Sequence, residues 1–251
     1  MTASTIRAAV LLIGDELLSG RTQDTNLRTI AQFLAPLGVA VAEVRIVSDE
    51  RAEIVAAVNA LRARYAYVFT TGGIGPTHDD KTADAVAAAF GVPIDVRADA
   101  RAILEAHYGA HTELNAARLR MARIPDGATL IANPVSRAPG FQLGNVFVMA
   151  GVPSIMRAML EDVGRRLDRG AVVGTVTVRA KGVREGDLAA PLEALAAAEP
   201  ALSLGSYPWY EPPDGFGVHL VARGADAAAL ARGREGLLRI VRALGAEGEL
   251  S

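Results

Sequence analysis

The strongest chemical signal in the chain lies between Thr70 and Thr82, which read Thr-Thr-Gly-Gly-Ile-Gly-Pro-Thr-His-Asp-Asp-Lys-Thr. Before them stands Tyr65-Ala66-Tyr67-Val68-Phe69, a short aromatic and β-branched run that reads as a buried strand. After them an amphipathic helical pattern runs from Ala83 to Phe90, with Gly91 placed to stop it. A glycine-rich turn between strand and helix lets backbone N–H groups approach an anion closely, because no Cβ atoms intervene. Two adjacent carboxylates, Asp79 and Asp80, follow that turn. A phosphate cradle beside carboxylates is coherent chemistry if a divalent metal (Mg²⁺, or Mn²⁺ or Co²⁺ in its place) bridges the two.

The elements around this loop predict what else comes near it. Arg7 to Ile13 is a β-type run ended by Gly14. Asp24 or Thr25 is placed to cap a helix with Leu27, Ile30, Ala31, Leu34 and Leu37 on one face, and Val39 to Val47 follows as a strand. A helix from Glu50 to Arg64 leads to the third strand and the glycine loop. This β-α-β-α-β-α order predicts an α/β domain of three layers, with a mostly parallel sheet and right-handed crossovers. Helices are expected over Ala98 to Tyr108 and Glu113 to Ala122, and a short strand over Ala128 to Ile131. A hairpin is expected around Gly144-Asn145, then a helix from about Pro153 to Leu167.

A boundary is expected near Arg169-Gly170, giving domains 1–170 and 171–251. Beyond it the order is strand (Val172 to Lys181), helix (Glu185 to Ala198), two strands (Leu202 to Tyr207, Phe216 to Arg223) and helix (Ala225 to Leu244). That pattern predicts a small α+β domain.

Ligands of doubly wound sheets bind at the carboxyl ends of the strands. Here the first three ends carry Gly14-Asp15-Glu16, Ser48-Asp49-Glu50 and Thr70-Thr71-Gly72-Gly73. Thr71, Gly72, Gly73 and Gly75 are the expected phosphate cradle. Asp15, Asp79 and Asp80 are expected to hold or tune the metal, with Asp80 in direct ligation and Asp49 orienting a water that attacks phosphorus. Blander roles remain open: Asp15-Glu16 fit the acidic first turn of a helix, Asp49 an N-cap, and Asp79 and Asp80 caps of the helix near Thr82. The three glycines are harder to explain without a backbone need.

Composition narrows the class. The 251 residues are 51% apolar and 22% charged, with net charge −2, as in a soluble globular protein with no electrostatic reason to bind a polyanion. With no cysteine, thiolate nucleophiles, disulfides and cysteine-ligated zinc are excluded. No apolar run approaches a membrane span, and no basic region followed by an apolar stretch opens the chain, so a cytoplasmic enzyme is expected.

Gly14-Asp15-Glu16-Leu17-Leu18-Ser19-Gly20, Asp24-Thr25-Asn26, Asp49-Glu50 and Thr70 to Thr82 resemble the molybdopterin-binding fold of the MoaB/Mog family. They look more closely like the N-terminal domain of the competence/damage-inducible protein A (CinA) family, over roughly residues 5 to 170. The resemblance implies a site for a pterin or a nucleotide pyrophosphate, with Asp49 and Asp80 at a metal-assisted centre and Asp24, Asn26, Thr77 and Asn133 among the binding residues. It also implies ADP-ribose pyrophosphatase activity and a KH-like insert after Gly170, while the family's usual C-terminal nicotinamide-mononucleotide deamidase domain is expected to be absent, because the chain ends too soon. Two stretches depart from it. Ser136 and Arg137 replace a glycine and a threonine, and Ala150 and Ile155 stand where proline and glutamate are expected. Asn133-Pro134-Val135-Ser136-Arg137 looks instead like the molybdopterin-binding-like domain of eukaryotic FAD synthases, which adds FAD as a substrate and Arg137 as a phosphate contact.

Other signals are weaker. His107 and His111 have helical metal-site spacing, with Gly109 between them and no third ligand nearby. Gly233-Arg234-Glu235-Gly236 fits a GxxG pattern but falls inside an expected helix and carries an acid, which argues against nucleic-acid binding. Tyr207, Trp209 and Tyr210 are expected at a hairpin tip, either packed back on their own domain or able to stack on a base or dock a neighbouring subunit. A homo-oligomer is expected, most simply a C2 dimer.

Overall fold

A computed structural model describes residues 5–109, 114–213 and 215–250. The chain divides into two compact units between Gly170 and Ala171.

The first unit opens with β1 (Ile6–Ile13), α1 (Asp15–Leu18), α2 (Asn26–Leu34), β2 (Val39–Val47), α3 (Arg51–Arg62), β3 (Tyr67–Thr71) and α4 (Thr82–Phe90). It continues through β4 (Ile94–Val96), α5 (Ala98–Tyr108), α6 (Ala116–Arg120), β5 (Arg123–Pro125) and β6 (Thr129–Ile131). The hairpin β7 (Gly140–Leu143) and β8 (Val146–Met149), then α7 (Pro153–Gly164), complete it.

Six strands form one sheet in the order β2-β1-β3-β8-β7-β6. The first four run parallel, and the hairpin adds the antiparallel edge. Central β1 is buried from Ala8 onward and feeds two cores, as an internal parallel strand must. Its Ala9, Leu11 and Ile13 pack with Ile54, Val58 and Leu61 of α3 and Val86 of α4. The alternate residues Ala8, Val10 and Leu12 pack with Ile30 and Leu34 of α2 and Met156, Met159 and Leu160 of α7. The period of two along one strand thus generates the three layers. Edge strand β2 instead alternates between more and less exposed residues.

Register sets up the site. Ile13 pairs with Val47 and Leu12 with Thr71, so the carboxyl ends of β1, β2 and β3 lie side by side. The short ribbon β4–β5 was not expected, since three residues per strand carry too little periodicity to be read.

The second unit contains β9 (Gly174–Lys181), α8 (Glu185–Ala198), β10 (Ser203–Glu211), β11 (Gly215–Gly224), α9 (Ala227–Ala243) and β12 (Gly248–Leu250). Its four strands form an antiparallel sheet in the order β10-β11-β9-β12. Val178, Ala180, Leu220 and Ala222 on one sheet face pack with Leu188 of α8 and Leu237 of α9. The Asp226 carboxylate caps α9 by accepting from the N–H groups of Ala228 and Ala229. The expected aromatic tip needs correcting: β10 runs on to Glu211, so Tyr207, Trp209 and Tyr210 lie within the strand. Trp209 lies over Gly217, with the Arg179 guanidinium carbon 4.2 Å from its ring centroid.

Among the described residues no helix is long and apolar enough to cross a membrane.

Candidate functional site

A cleft of about 440 Å³ opens at the joined strand ends of the first unit. That size suits a small-molecule ligand. Gly72, Gly73, Ile74 and Gly75 line one side, and Glu16, Asp49, Asp79 and Asp80 supply four carboxylates. The facing wall comes from Asn133, Ser136 and Ala138 and from Ala150, Val152 and Ile155. Both stretches that depart from the CinA pattern therefore border the cleft.

The glycines have a backbone reason of their own. Gly72 and Gly73 adopt φ of 105° and 65°. A Cβ at Gly72 would collide with the Ile13 carbonyl, and one at Gly73 with the Thr82 hydroxyl. That hydroxyl donates to the Gly72 carbonyl at 2.9 Å, while the Thr82 N–H donates to the Gly73 carbonyl, also at 2.9 Å. The loop is thus pressed onto the end of β1 and clamped by the first residue of α4. Gly72 N–H donates to the Met149 carbonyl. The N–H groups of Gly73, Ile74 and Gly75 find no protein acceptor among the described residues.

Asp49 is anchored from the neighbouring strand end, where its Oδ2 accepts the Asp15 N–H at 2.9 Å, at the start of α1. Burial raises the Asp49 pKa above the ordinary value, the Asp15 N–H opposes that, and the charges of Asp15, Glu16 and Asp79 add to the rise. Asp80 folds back on its own loop: Oδ2 accepts the Thr77 N–H at 2.8 Å and the Thr77 hydroxyl at 2.6 Å. Neither Asp79 nor Asp80 caps α4, whose N-cap is Lys81.

Several expected site residues have other work. Asp15 is exposed and does not line the cleft, whereas its neighbour Glu16 does. The Asp24 carboxylate accepts from the N–H groups of Asn26 and Leu27, which makes it a cap of α2. Thr77 staples Asp80 through both its donors. Asn133 lines the cleft, but its amide is engaged with Ser136, Val135 and Ala138, so it shapes its own loop. Arg137 is exposed, lies outside the cleft lining, and holds a left-handed φ of 63°.

Asn26 and Thr71 are buried beside a crevice of about 70 Å³ that shares Ile13, Glu16 and Gly151 with the cleft. The Asn26 amide donates to the Gly151 carbonyl at 2.7 Å, which leaves its Oδ1 buried without a donor. The apolar members Ile74, Met121 and Ile155 could not be found from the sequence, since nothing separates them from core residues there.

No three His, Asp or Glu side chains among the described residues gather as a metal centre. The donor set still fits a magnesium-like ion, which commonly takes one or two carboxylates and completes its shell with phosphate oxygens and water. Asp80 and Asp79 would supply those carboxylates. His107 packs against Tyr108, and His111 lies outside the described residues.

Residues 9–169 match the probable molybdopterin binding domain, and residues 176–244 match the middle domain of FAD synthase. A CinA-like protein of Citrifermentans bemidjiense is 43% identical over 162 residues, which are 62% of this chain and 39% of that protein. The chain thus spans well under half the length of that curated relative. A protein of Pyrobaculum arsenaticum is 37% identical over 210 residues, covering 80% of this chain and 79% of its own. The crystal structure of the protein CinA, of unknown function, from Thermoplasma acidophilum superposes with a TM-score of 0.61 at 35% identity, over 65% of this chain and 98% of that one. By the length of the first match, backed by the parallel sheet and the cleft at its strand ends, this chain belongs to the family of the probable molybdopterin binding domain.

Proposed function

We propose that the cleft binds a nucleotide pyrophosphate such as ADP-ribose or FAD and hydrolyses it with the help of a divalent metal. The observation that carries this reading is the run of three successive N–H groups, at Gly73, Ile74 and Gly75, without protein acceptors beside four carboxylates. Unpaired donors favour an oxyanion, whereas carboxylates repel one unless a cation stands between them. The buried Oδ1 of Asn26 adds an acceptor for a donor on the ligand's base or pterin ring.

The chain's own residues then divide the work. Gly73, Ile74 and Gly75 hold a phosphate oxygen through their N–H groups, as Thr82 and Thr77 keep the loop in shape. Asp80 and Asp79 would hold the cation. When bound, the metal supplies Lewis acidity and lowers the pKa of water. Asp49 orients the attacking water and takes its proton. Water oxygen bonds to phosphorus, the bridging P–O bond breaks, and AMP leaves with ribose 5-phosphate or FMN as the second product.

A second reading is a binding module that retains a molybdopterin-like or nucleotide ligand without cleaving it. Ser136, Ala150 and Ile155 on the facing wall favour it, since they border the cleft where the CinA pattern differs. A molybdopterin adenylyltransferase is a third reading, less favoured because residues 176–244 match the middle domain of FAD synthase. Incubation with ADP-ribose or FAD and Mg²⁺, Mn²⁺ or Co²⁺ separates the first two readings by the AMP released, and ATP with molybdopterin tests the third by the pyrophosphate released. Tight ligand retention with no AMP from any pair favours the module. The assembly expectation stands beside them as a proposal: a homo-oligomer, most simply a C2 dimer, which a monomeric mass by light scattering at micromolar concentration contradicts.

A further inference from the structure

The cleft has a charge imbalance that a metal alone does not remove. Among the described residues its lining carries Glu16, Asp49, Asp79 and Asp80 and no Lys or Arg, although the proposed ligand is itself an anion. One fixed cation lies immediately behind the glycine loop. Arg120, the last residue of α6, shares a small pocket of about 20 Å³ with Gly73, Ile74, Gly75 and Asp80, all of which also line the cleft.

The state of that side chain differs from its neighbours'. Arg123 in the same pocket is neutralised by Asp84 through two hydrogen bonds of 2.7 and 2.8 Å. Lys81, in the same loop, pairs with Glu50 at 3.3 Å. Arg120 has no carboxylate partner among the described residues. Its single acceptor is the backbone carbonyl of Asp80, at 3.3 Å from Nη2, and its Nε is buried with no acceptor. Leaving a charged donor buried and unmatched is costly, and guanidinium is the side chain best suited to phosphate oxygens.

We infer that Arg120 is a phosphate-binding residue of the cleft, engaging the oxyanion held by the N–H groups of Gly73, Ile74 and Gly75. The inference deepens the pyrophosphate reading and rests on it. It gives the site two cations of different kinds. Asp79 and Asp80 would hold the metal, and the Arg120 guanidinium, carried by the last residue of α6, would meet the phosphate at the glycine loop. Arg137, which the sequence put forward for this contact, lies outside the cleft lining.

Calorimetric titration with ADP-ribose, and with inorganic pyrophosphate as a competing probe, tests the assignment in Arg120→Lys and Arg120→Gln, with and without a chelator. If the charge binds phosphate, Gln weakens both probes tenfold or more and Lys restores most of the loss, in chelator as well as in Mg²⁺. If Arg120 only supports the loop through the Asp80 carbonyl, Gln retains an N–H donor and binds like the wild type, which overturns the inference. Failure of both variants to fold also overturns it, by making the residue structural. A wild-type protein that binds neither probe overturns the pyrophosphate reading itself, and the inference falls with it.

Discussion

Two glycine motifs in this chain invite the same chemical interpretation and have different surroundings. Gly72, Gly73 and Gly75 sit in a loop at the end of β3, where two of them take positive φ and three successive N–H groups lack protein acceptors among the described residues. Gly233 and Gly236 lie buried within α9, where a Cβ would press on Leu202 and Leu195 side chains. In the loop, glycine permits a backbone that other residues reach only with strain. In the helix it permits close packing of leucines. A glycine pattern becomes a candidate anion site only when its N–H groups are left over, and that depends on the element carrying it.

Substitutions can break that contrast. The largest effect is expected at the cleft: Asp80→Ala should lower AMP release from ADP-ribose about 100-fold or more, since it removes a proposed cation ligand. Turnover within threefold of wild type would remove Asp80 from the chemistry. Gly72→Ala comes next and acts on stability. The methyl group meets the Ile13 carbonyl at a φ of 105°, so a loss of about 3 kcal/mol is expected in chemical denaturation. The same change at Gly236 meets Leu195 methyl groups, which can shift, and gains helix propensity of about 1 kcal/mol. Its net effect should be close to zero, and ligand affinity should stay unchanged. Equal destabilisation by the two substitutions would dissolve the comparison.

A smaller effect is expected in the pH dependence of Asp49. Its pKa is raised by burial, so in the folded protein it binds a proton more readily than in the unfolded chain. Its contribution to stability is therefore present at low pH and lost as pH rises from the ordinary value of 3.8 through the raised folded value. Asp49→Asn should be slightly more stable than the wild type at neutral pH, with the difference fading at and below 3.8, followed by thermal melts across pH. Turnover needs the ionised form as proton acceptor, so wild-type activity should fall on the acid side through the raised pKa. An acid limb that follows the ordinary carboxylate range instead would separate Asp49 from that role.

Most of the first unit's architecture could be read from local pattern. The buried run Ala8 to Ile13, the helical stripes of α2 and α3 and the Gly144-Asn145 turn each carry a strong period or turn signal. The three-residue strands β4, β5 and β12 were not read, whereas β6, equally short, was expected over Ala128 to Ile131. The sequence put Asp49, Asp80, Asn133 and the loop glycines at the site, and all of them line the cleft. Asp24, Thr77 and Asn133 also hold local turns and caps, because a polar residue at a strand end serves equally well as cap, staple or ligand. Arg120 escaped notice because sequence does not reveal which arginines find a carboxylate; Arg123, three residues later, does.

The central claim is that the cleft joins a metal to a pyrophosphate, and Mn²⁺ binding followed by electron paramagnetic resonance tests it most directly. With no three carboxyl or imidazole groups among the described residues placed closely enough to hold an ion together, Mn²⁺ alone should bind weakly. Saturating ADP-ribose should tighten it at least tenfold, Mn²⁺ should tighten ADP-ribose by the same factor, and Asp80→Ala should abolish the coupling. Mn²⁺ affinity that is indifferent to the nucleotide, in the wild type and in the variant alike, would contradict the account.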